Sequence, residues 1–321
     1  MKKTGKILLI VATVLVIVGL IGFVVTMANR DWNFGSMSTE EFETNTYTVS
    51  ESFDKISIDV YTTDITFMLS EDEKCSVECK ETEKLRHNVS VQNGTLVINM
   101  TDTRKWYDKF GVFVGSYKMT VYLPEAEYVS LKVDTDTGDV TMPEDFAFEK
   151  VNIDSDTGDV EWFATVSDTA IINLDTGDIL VEKVTVDNLE LSSDTGSVKL
   201  ESVTAEGNIK ADTDTGDIYL DDVSCANLDA QSDTGDINLK NTVADGAFNI
   251  ENETGDVEFE NSDASEIFVD TSTGDITGTL RSDKIFQTDS ETGRISVPDS
   301  VTGGKCKITS DTGDIELNIA S

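Results

Sequence analysis

The stretch that decides the fold is LSSDTGSVKLES, residues 191–202 of a chain of 321 residues. Leu191, Val198 and Leu200 alternate with polar residues on either side of a turn at Gly196. Alternation with a period of two on both sides of a glycine turn is typical of two short strands that each bury one face. The stretch therefore predicts a strand, a tight turn and a second strand.

The same turn recurs through the C-terminal part of the chain. Ten Thr-Gly pairs follow one another at spacings of 19 or 20 residues, and a Val or Ile stands two residues after every glycine. The turn glycines are Gly138, Gly158, Gly177, Gly196, Gly216, Gly235, Gly255, Gly274, Gly293 and Gly313. A fixed period of this length predicts stacked copies of one unit, because a single unit cannot bury its apolar face alone.

The repeat also decides the meaning of one suggestive motif. Asp194-Thr195-Gly196-Ser197 spells the catalytic signature of pepsin-like aspartic proteases, which place two carboxylates on one symmetric pair of loops. Ten copies at a nearly constant period indicate a structural turn instead. No catalytic residue is predicted.

Stacked units of this kind predict an all-β fold, a single-stacked parallel β-solenoid over residues 131–321. Neighbouring coils would lie about 4.8 Å apart, so that ten coils form a rod of roughly 48 Å. The remaining residues of each unit would form a third side. The solenoid is expected to be right-handed, because parallel crossover connections nearly always are.

The residues around each glycine fit a tight turn. The residue two before the glycine is Asp in seven of the ten copies, and its carboxylate is expected to accept the glycine's own N–H. The glycine is expected to supply a positive φ, which is free of a Cβ penalty. Ser or Thr usually precedes that Asp, in phase with the buried face, and predicts an inward hydroxyl ladder.

Residues 46–130 predict irregular N-terminal coils and a cap for the same stack. Thr63-Asp64 resembles the repeated turn without its glycine, and Asn93-Gly94 is a hairpin signal. An aromatic cluster follows, formed by Trp106, Tyr107, Phe110 and Phe113. It is interpreted either as a loop that covers the N-terminal edge of the solenoid or as a contact for a partner or a membrane surface.

The N-terminus forms a separate unit. Lys2, Lys3 and Lys6 precede an uncharged apolar run over residues 7–27, which is long enough to cross a hydrocarbon core. Lysines before the run predict a cytoplasmic N-terminus and an extracytoplasmic remainder, and hence a single-pass protein of the cell membrane.

The predicted division is a cytoplasmic tail at residues 1–6, a transmembrane signal-anchor at 7–28 and a linker at 29–45. A cleaved signal peptide is the alternative, since residues 26–28 resemble a small-x-small cleavage site. The apolar run exceeds the usual signal-peptide core of about 7–15 residues, which favours the anchor.

Charge is the outlying property of the composition. The chain has 24 Lys and Arg against 62 Asp and Glu, a formal net charge of −38. A nucleic-acid surface is excluded, because phosphate binding needs clustered basic residues. The balance favours metal cations, an unknown envelope protein or another cationic partner.

An aspartate directly follows the turn glycine in eight copies and would form a column along the rod. These residues are Asp139, Asp159, Asp178, Asp217, Asp236, Asp256, Asp275 and Asp314. Carboxylates about 4.8 Å apart repel one another, and Ca²⁺ with its several oxygen ligands would relieve that repulsion. The alternative is that the carboxylates cap backbone groups and face solvent. No other cofactor is predicted.

Four cysteines follow the apolar run, Cys75, Cys79, Cys225 and Cys306. Cys75 and Cys79 share one face of a predicted strand but lie too far apart for a mutual bridge. Four buried thiols are expected. A disulfide from either of these two residues to another segment is the alternative.

The repeated S/T-D-T-G-D-I/V turns, as in residues 232–237, resemble those of a bacterial family of β-strand-repeat proteins. The family has no known function and is catalogued as putative adhesins. The resemblance covers nearly everything after residue 45. It implies a membrane-anchored accessory protein that is encoded near cell-envelope stress systems. It implies no catalytic residues. Gly196-Ser197 and Gly293-Arg294 depart from the Gly-Asp pattern.

The first functional hypothesis is therefore a non-enzymatic, membrane-anchored extracytoplasmic rod that serves as an adhesin or as an interaction scaffold in the envelope stress response. A calcium-binding surface rod is the alternative. A polysaccharide-active β-helix enzyme is a second alternative, disfavoured because the single histidine, His87, lies outside the regular repeats. The last coil is expected to be an open edge through which the chain self-associates weakly.

Overall fold

The computed structural model describes residues 3–29, 32, 41–106 and 115–320. These form one helix, α1 (Lys3–Ala28), and twenty-eight strands. The strands are β1 (Phe42–Val49), β2 (Lys55–Thr62), β3 (Asp64–Leu69), β4 (Cys75–Thr82), β5 (Leu85–Gln92), β6 (Thr95–Asp102), β7 (Lys118–Leu123), β8 (Glu127–Thr137), β9 (Val140–Met142), β10 (Ala147–Thr157), β11 (Val160–Trp162), β12 (Thr165–Thr176), β13 (Ile179–Glu182), β14 (Thr185–Thr195), β15 (Val198–Glu201), β16 (Thr204–Ala205), β17 (Asn208–Thr215), β18 (Ile218–Asp221), β19 (Ser224–Cys225), β20 (Asn227–Thr234), β21 (Ile237–Lys240), β22 (Val243–Thr254), β23 (Val257–Thr273), β24 (Ile276–Leu280), β25 (Lys284–Thr292), β26 (Ile295–Ser296), β27 (Gly304–Thr312) and β28 (Ile315–Ile319).

Two long, mostly parallel sheets run along the rod and meet at the glycine turns. The pre-turn sheet holds the strands that lead into the turns, in the order β5-β6-β2-β8-β10-β12-β14-β17-β20-β22-β23-β27-β25. The post-turn sheet holds the strands that follow, in the order β1-β4-β7-β3-β9-β11-β13-β15-β18-β21-β23-β24-β28-β26. The long strand β23 contributes to both sheets.

A short third side closes each coil. The two-residue strands β16 and β19 stack between the first residues of β14 and β22. Equivalent residues pair directly from one coil to the next, as Val198, Ile218 and Ile237 do. The predicted all-β solenoid, built from stacked coils of 19 or 20 residues, is confirmed.

The core is a set of columns made by the alternating apolar residues. The Val or Ile two residues after the turn glycine is buried in nine of the ten coils, and the exception is Ile295. Near the N-terminal end, larger side chains fill the interior. Tyr128, Phe148 and Trp162 form an aromatic stack with centroid separations of 5.6 Å at both steps.

The N-terminal end does not follow chain order. Strand β2 lies between β8 and β6, so the coil of residues 55–69 packs directly on the first regular coil. Thr63 donates its N–H to the Thr137 carbonyl at 2.8 Å, which is the contact that a turn glycine makes elsewhere. The prediction of a degenerate turn at Thr63-Asp64 is therefore confirmed.

Antiparallel strands close this end. Strands β5 and β6 form a hairpin whose turn residues, Asn93 and Gly94, both have positive φ, as their sequence predicts. Strand β4 runs antiparallel between β7 and β1. Glu43 on β1 forms an ion pair with Arg86 on β5, which joins the outer edges of the two sheets.

The C-terminal end also departs from chain order. Strands β27 and β28 lie between β23 or β24 on one side and β25 or β26 on the other. The coil of residues 304–319, here called the inserted coil, is thus covered on both faces. The coil of residues 281–303, here called the end coil, forms the edge. The expectation that the last coil in sequence is open is wrong.

Inward-facing side chains explain this order. Ile308 occupies the core position five residues before a turn glycine and is fully buried, whereas the end coil has Thr288 at the same position. Placing a polar side chain in the outermost coil avoids burying an unpaired hydroxyl. The repeat period alone cannot reveal this, because Gly293 and Gly313 follow the preceding turn glycine by 19 and 20 residues, as in the regular coils.

Helix α1 contains the predicted anchor. The most apolar 18-residue stretch within Gly5–Ala28 has a mean hydropathy of 3.2, so the helix is long and apolar enough to cross a membrane. Strand β1 begins at Phe42, within the predicted linker of residues 29–45.

Candidate functional site

The repeated turns are held together by backbone hydrogen bonds between coils. The N–H of Gly177 donates to the carbonyl of Thr195 in the next coil at 2.9 Å, and the other regular turns repeat this contact. The expectation that the aspartate two residues before the glycine accepts this N–H is wrong. In a stacked coil a neighbouring carbonyl lies in line with the N–H, so no side chain is needed.

Close stacking also explains the glycines. Gly177 has a φ of 148°, and a Cβ at this position would lie 2.0 Å from the Gly158 carbonyl oxygen. Any side chain would therefore force the two turns apart. The glycine requirement is set by the neighbouring coil as well as by the local conformation.

The Ser or Thr three residues before the glycine points inward, as predicted. In four coils its hydroxyl donates to the carbonyl of the turn glycine in the neighbouring coil, as Ser193 does to Gly177 at 2.9 Å and Thr213 does to Gly196 at 3.0 Å. These hydroxyls bond to backbone rather than to one another, whereas those of Ser155, Thr271 and Ser310 are buried without a hydrogen-bond partner. This position secures the corner where the two sheets meet.

The eight column aspartates all lie along this corner, and all of them accept one backbone hydrogen bond. In each case Oδ1 accepts the N–H of the residue after the glycine in the next coil, at 2.7–3.0 Å. Asp256, for example, accepts from Asp275 at 2.7 Å. From sequence, backbone capping is the alternative to cation binding, and the Oδ1 atoms do cap backbone N–H groups.

Two coils interrupt the column. Ser197 replaces the aspartate in one coil and donates its N–H to Asp178 at 2.7 Å. Arg294 replaces it in the end coil, where its guanidinium Nη2 lies 2.6 Å from Asp314 Oδ2. Hydrogen bonds from Arg294 lower the pKa of Asp314. The column therefore ends in a neutralised carboxylate.

A second set of aspartates lies on the other side of the turn, two residues before the glycine. Desolvation and neighbouring carboxylates raise the pKa of Asp136 and of Asp214. The carboxylates that act on Asp214 include those of Asp194 and Asp233, its equivalents in the two adjacent coils. Repulsion from neighbouring carboxylates therefore acts on the second set at these two turns.

One place in the described ranges brings potential metal ligands close together. Among the described residues, only Cys79, Glu81 and His87 bring three such ligand atoms within 4.8 Å of one another. The column aspartates offer neighbouring pairs of carboxylates and no such triplet. The cation column stays a prediction.

The Glu81–His87 pair forms a buried polar cluster in the N-terminal cap. Glu81 Oε2 accepts from His87 Nδ1 at 2.8 Å and from the His87 backbone N–H at 2.7 Å. Glu81 Oε1 accepts from Tyr47 at 2.7 Å and from Asn45 at 2.8 Å. His87 Nε2 lies 3.3 Å from the Thr63 hydroxyl.

The charges of this cluster follow from those contacts. Burial lowers the pKa of His87, so the imidazole is neutral at pH 7. Burial alone would raise the pKa of Glu81, but hydrogen bonds from His87 and Tyr47 outweigh it and the pKa is lowered. Burial raises the pKa of the Cys79 thiol, which opposes metal binding through a thiolate. Four donors already occupy the carboxylate, so the cluster is best described as a structural pin.

All four cysteines are buried and unpaired, as the sequence predicts. Burial raises the pKa of Cys75, Cys225 and Cys306 to about 12. These thiols are therefore protonated at neutral pH and unsuited to nucleophilic catalysis. The alternative of a disulfide from Cys75 or Cys79 is wrong.

The aromatic cluster is described only in part. Trp106 is 75% exposed. Tyr107, Phe110 and Phe113 lie outside the described residues. Strands β1, β4, β5 and β6 cover the N-terminal edge, which is the role expected of this loop. The partner-contact alternative stays a prediction.

Several structural residues escaped the sequence reasoning. A second corner places a non-glycine residue at positive φ six residues after the turn glycine in five coils, namely Lys183, Ser202, Asp222, Asn241 and Asn261. A third corner carries an asparagine ladder in which Asn227 donates to Asn208 at 2.9 Å. Aligning the repeats beyond the glycine turn would have revealed the asparagines.

Comparison with known proteins identifies the repeat as a described domain. The family model described as Toastrack DUF4097 matches residues 53–318. No curated protein matches the chain.

The solved structures that the chain resembles include two from Parabacteroides distasonis and one from Parabacteroides merdae. A putative adhesin from Parabacteroides distasonis is 13% identical, with 88% of this chain and 98% of that chain covered and a TM-score of 0.49. A putative lipid binding protein from the same species is 18% identical, with 88% and 98% covered and a TM-score of 0.46. A putative adhesin from Parabacteroides merdae is 14% identical, with the same coverage and a TM-score of 0.46.

Proposed function

The chain belongs to the Toastrack DUF4097 family, and from that premise we propose that it is a non-enzymatic, membrane-anchored scaffold of the cell envelope. Its rod stands outside the cytoplasm and binds a cationic partner through the acidic turns. The observation that carries the proposal is the in-register column of eight carboxylates, each held by a backbone hydrogen bond at its Oδ1.

Repetition supports a scaffold rather than an enzyme. Each regular coil presents nearly the same polar groups, whereas catalysis needs a local set of different groups with matched pKa values. The single histidine is buried and bonded to Glu81. The thiols are buried and protonated.

Anchoring is proposed through α1. Residues Gly5–Ala28 are apolar enough to span a bilayer, and Lys2, Lys3 and Lys6 precede them. The positive-inside rule then places the N-terminus in the cytoplasm and the solenoid outside. In this proposal residues 1–6 form the cytoplasmic tail and residues 131–321 the regular rod.

The topology is tested by cysteine labelling in intact cells. Native thiols are buried, so single variants Asn249→Cys on the rod and Lys6→Cys before the helix are the reporters. A membrane-impermeant maleimide should label Asn249→Cys in intact cells and Lys6→Cys only after lysis. Labelling of Lys6→Cys in intact cells, or protection of Asn249→Cys, would contradict the proposed orientation.

The partner class is tested with the full chain in detergent. A fluorescent oligolysine peptide should bind with an affinity that falls steeply as salt is raised, because the attraction is screened. A glutamate peptide of equal length is the control and should not bind. Binding that ignores salt, or no binding at low salt, would sink the cationic-partner proposal.

A further inference from the structure

The end coil, residues 281–303, differs in charge from the rest of the rod. Residues 131–280 contain six Lys and Arg against 37 Asp and Glu. The end coil itself, residues 281–303, contains three Lys and Arg against four Asp and Glu. One end of a strongly acidic rod is therefore nearly neutral, and Arg294 also neutralises the last carboxylate of the column.

Strand β25 gives this end a long, uncovered edge. It spans nine residues, and one side pairs with β27. Within the described ranges, no other strand pairs with its outer side. By contrast, the post-turn sheet ends in β26, which has only two residues and lies just before Pro298.

Most of the usual protections of an edge are missing from β25. It contains no proline, its one inward-facing charge at Lys284 is paired with Asp263, and its next inward-facing residues, Phe286, Thr288 and Ser290, are uncharged and only half-buried. Ile285 and Ile295 are 42% and 44% exposed. Natural proteins commonly block such edges with inward charges, proline or short strands, because an open edge pairs with other strands.

We infer that the end coil docks a second copy of this chain, with the two β25 strands pairing antiparallel about a two-fold axis at Thr288. The charge distribution selects this occupant, since two rods of this net charge can meet closely only where each is neutral. The N-terminal end is not an equivalent partner, because the outer edges of β1 and β5 lie against each other there and the Glu43–Arg86 ion pair joins them.

Side-chain register agrees with this arrangement. Pairing centred on Thr288 places Gln287 opposite the second copy's Asp289, and Ile285 opposite its Glu291. No carboxylate then faces another carboxylate across the strands. Backbone hydrogen bonds would continue the pre-turn sheet from one rod into the other, and the half-buried Phe286 side chains would be covered. The isologous contact closes at two copies and cannot propagate into a fibre.

The test uses the full chain in detergent and one isosteric change. Gln287→Glu places a carboxylate against Asp289 at two symmetric points of the dimer. Asn249→Asp is the matched control, because Asn249 is exposed and occupies the same repeat position in the middle of the rod. Both variants add one negative charge without altering shape. Sedimentation velocity across roughly micromolar to millimolar concentrations, the range of weak interfaces, measures the association.

The wild-type chain and Asn249→Asp should dimerise alike, and Gln287→Glu should weaken the association roughly fivefold or more, because like charges directly opposite destabilise strand pairs. A chain that stays monomeric at every concentration overturns the inference. So does a dimer that Gln287→Glu leaves unchanged, since helix α1 or another surface would then be the contact. Assemblies larger than a dimer also overturn it.

Discussion

At the scale of single residues, the column aspartates show how one side chain serves two purposes. Oδ1 accepts a backbone N–H from the next coil, and the carboxylate keeps its charge at an exposed position, as at Asp236 and Asp256. Asp217 Oδ2 also accepts from the Tyr219 hydroxyl at 2.6 Å. Hydrogen bonds to a charged acceptor are stronger than neutral ones, which offsets the repulsion between neighbouring carboxylates. Serine at position 197 shows that the donor remains when the carboxylate is absent.

Two substitutions of Asp256 distinguish the effect of its hydrogen-bond acceptor from the effect of its charge. Asp256→Asn keeps an oxygen for the Asp275 N–H and removes one charge, so the melting temperature should stay level or rise. Asp256→Ala removes the acceptor and should cost about 1 kcal/mol of unfolding free energy. Thermal and urea unfolding of the two variants measure the difference. Equal destabilisation by both would mean that the charge, and not the hydrogen bond, stabilises the turn.

At the scale of elements, the N-terminal cap replaces repetition with a buried polar cluster. The coil at Thr63 lacks the turn glycine, and His87 on β5 approaches this turn through Nε2. Glu81 on β4 then links the imidazole to β1 through Asn45 and Tyr47. Burying this network is favourable because every polar atom of the Glu81 carboxylate has a partner.

The cluster predicts a loss of stability in mild acid. The folded-state pKa of His87 is lowered from 6.5, so below about pH 6.5 the unfolded chain takes up the proton first and unfolding is favoured. Glu81 adds to this at lower pH, since its stabilisation is lost as pH falls through its lowered pKa. The aspartates whose pKa is raised act in the opposite direction, so a variant is needed to isolate His87.

His87→Gln keeps a donor for Glu81 and does not titrate. Unfolding midpoints in urea at pH 7 and at pH 5 should fall further for the wild-type chain than for His87→Gln. The contribution of the aspartates is common to both proteins and cancels in the comparison. Identical pH dependence in the two proteins would show that His87 is not the titrating group.

At the other end of the rod, a buried ion pair fastens the end coil across the inserted coil. Lys284 is 3% exposed, and its Nζ lies 2.5 Å from Asp263 Oδ1. Gly304 lies between them without a side chain, and the Lys284 stem passes 3.8 Å from where its Cβ would be. The pair therefore bridges two coils that are not adjacent in the stack.

Lys284→Met should release the end coil. It leaves the Asp263 carboxylate unpaired in a mostly buried position, and roughly 2 kcal/mol of local stability should be lost. Hydrogen exchange of the β27 amides should accelerate, while the β10 amides act as an unaffected internal control. The double variant Lys284→Met/Asp263→Asn should recover much of the protection. Unchanged exchange in β27 would show that the ion pair does not hold the end coil.

At the scale of the whole molecule, repetition aligns like charges over most of the rod. Carboxylates on both sides of most turns repeat from coil to coil, and desolvation together with the neighbouring carboxylates raises the pKa of Asp214. Charge accumulates because every coil uses the same turn. The end coil interrupts this pattern with Arg294 and Lys284, at the point where the stack stops.

Salt should therefore stabilise the rod. Raising sodium chloride screens the repulsion between exposed carboxylates, so the melting temperature of the full chain should rise steadily. Calcium at the same ionic strength should give the same rise, because the Oδ1 atoms are occupied by backbone donors. A further rise of many degrees specific to calcium would instead assign the aspartate columns as cation sites.

Prediction from sequence succeeded where one residue type imposes one local geometry. The glycine period and the alternation of apolar residues determined the solenoid, its turns and its buried columns, because each coil repeats the same short-range requirements. The apolar N-terminal helix was equally legible, since length and hydropathy suffice, and its role as an anchor stays a prediction. The eight aspartates that follow the turn glycine lie in a column, as predicted. For the aspartates two residues before the glycine, the predicted hydrogen bond to the glycine N–H is wrong.

The tertiary structure alone decided which coils touch. Chain order suggested a simple stack, but β2 packs against β8 across sixty-odd intervening residues. The inserted coil lies between the end coil and the rest of the stack. Neither arrangement changes the repeat period, so neither leaves a trace in it. The Glu81–His87 pin and the Lys284–Asp263 pair follow from those contacts. The physical reason is the same at both ends. The terminal coil of the stack has water on one side, and which coil takes that place depends on side chains that meet only in the folded rod.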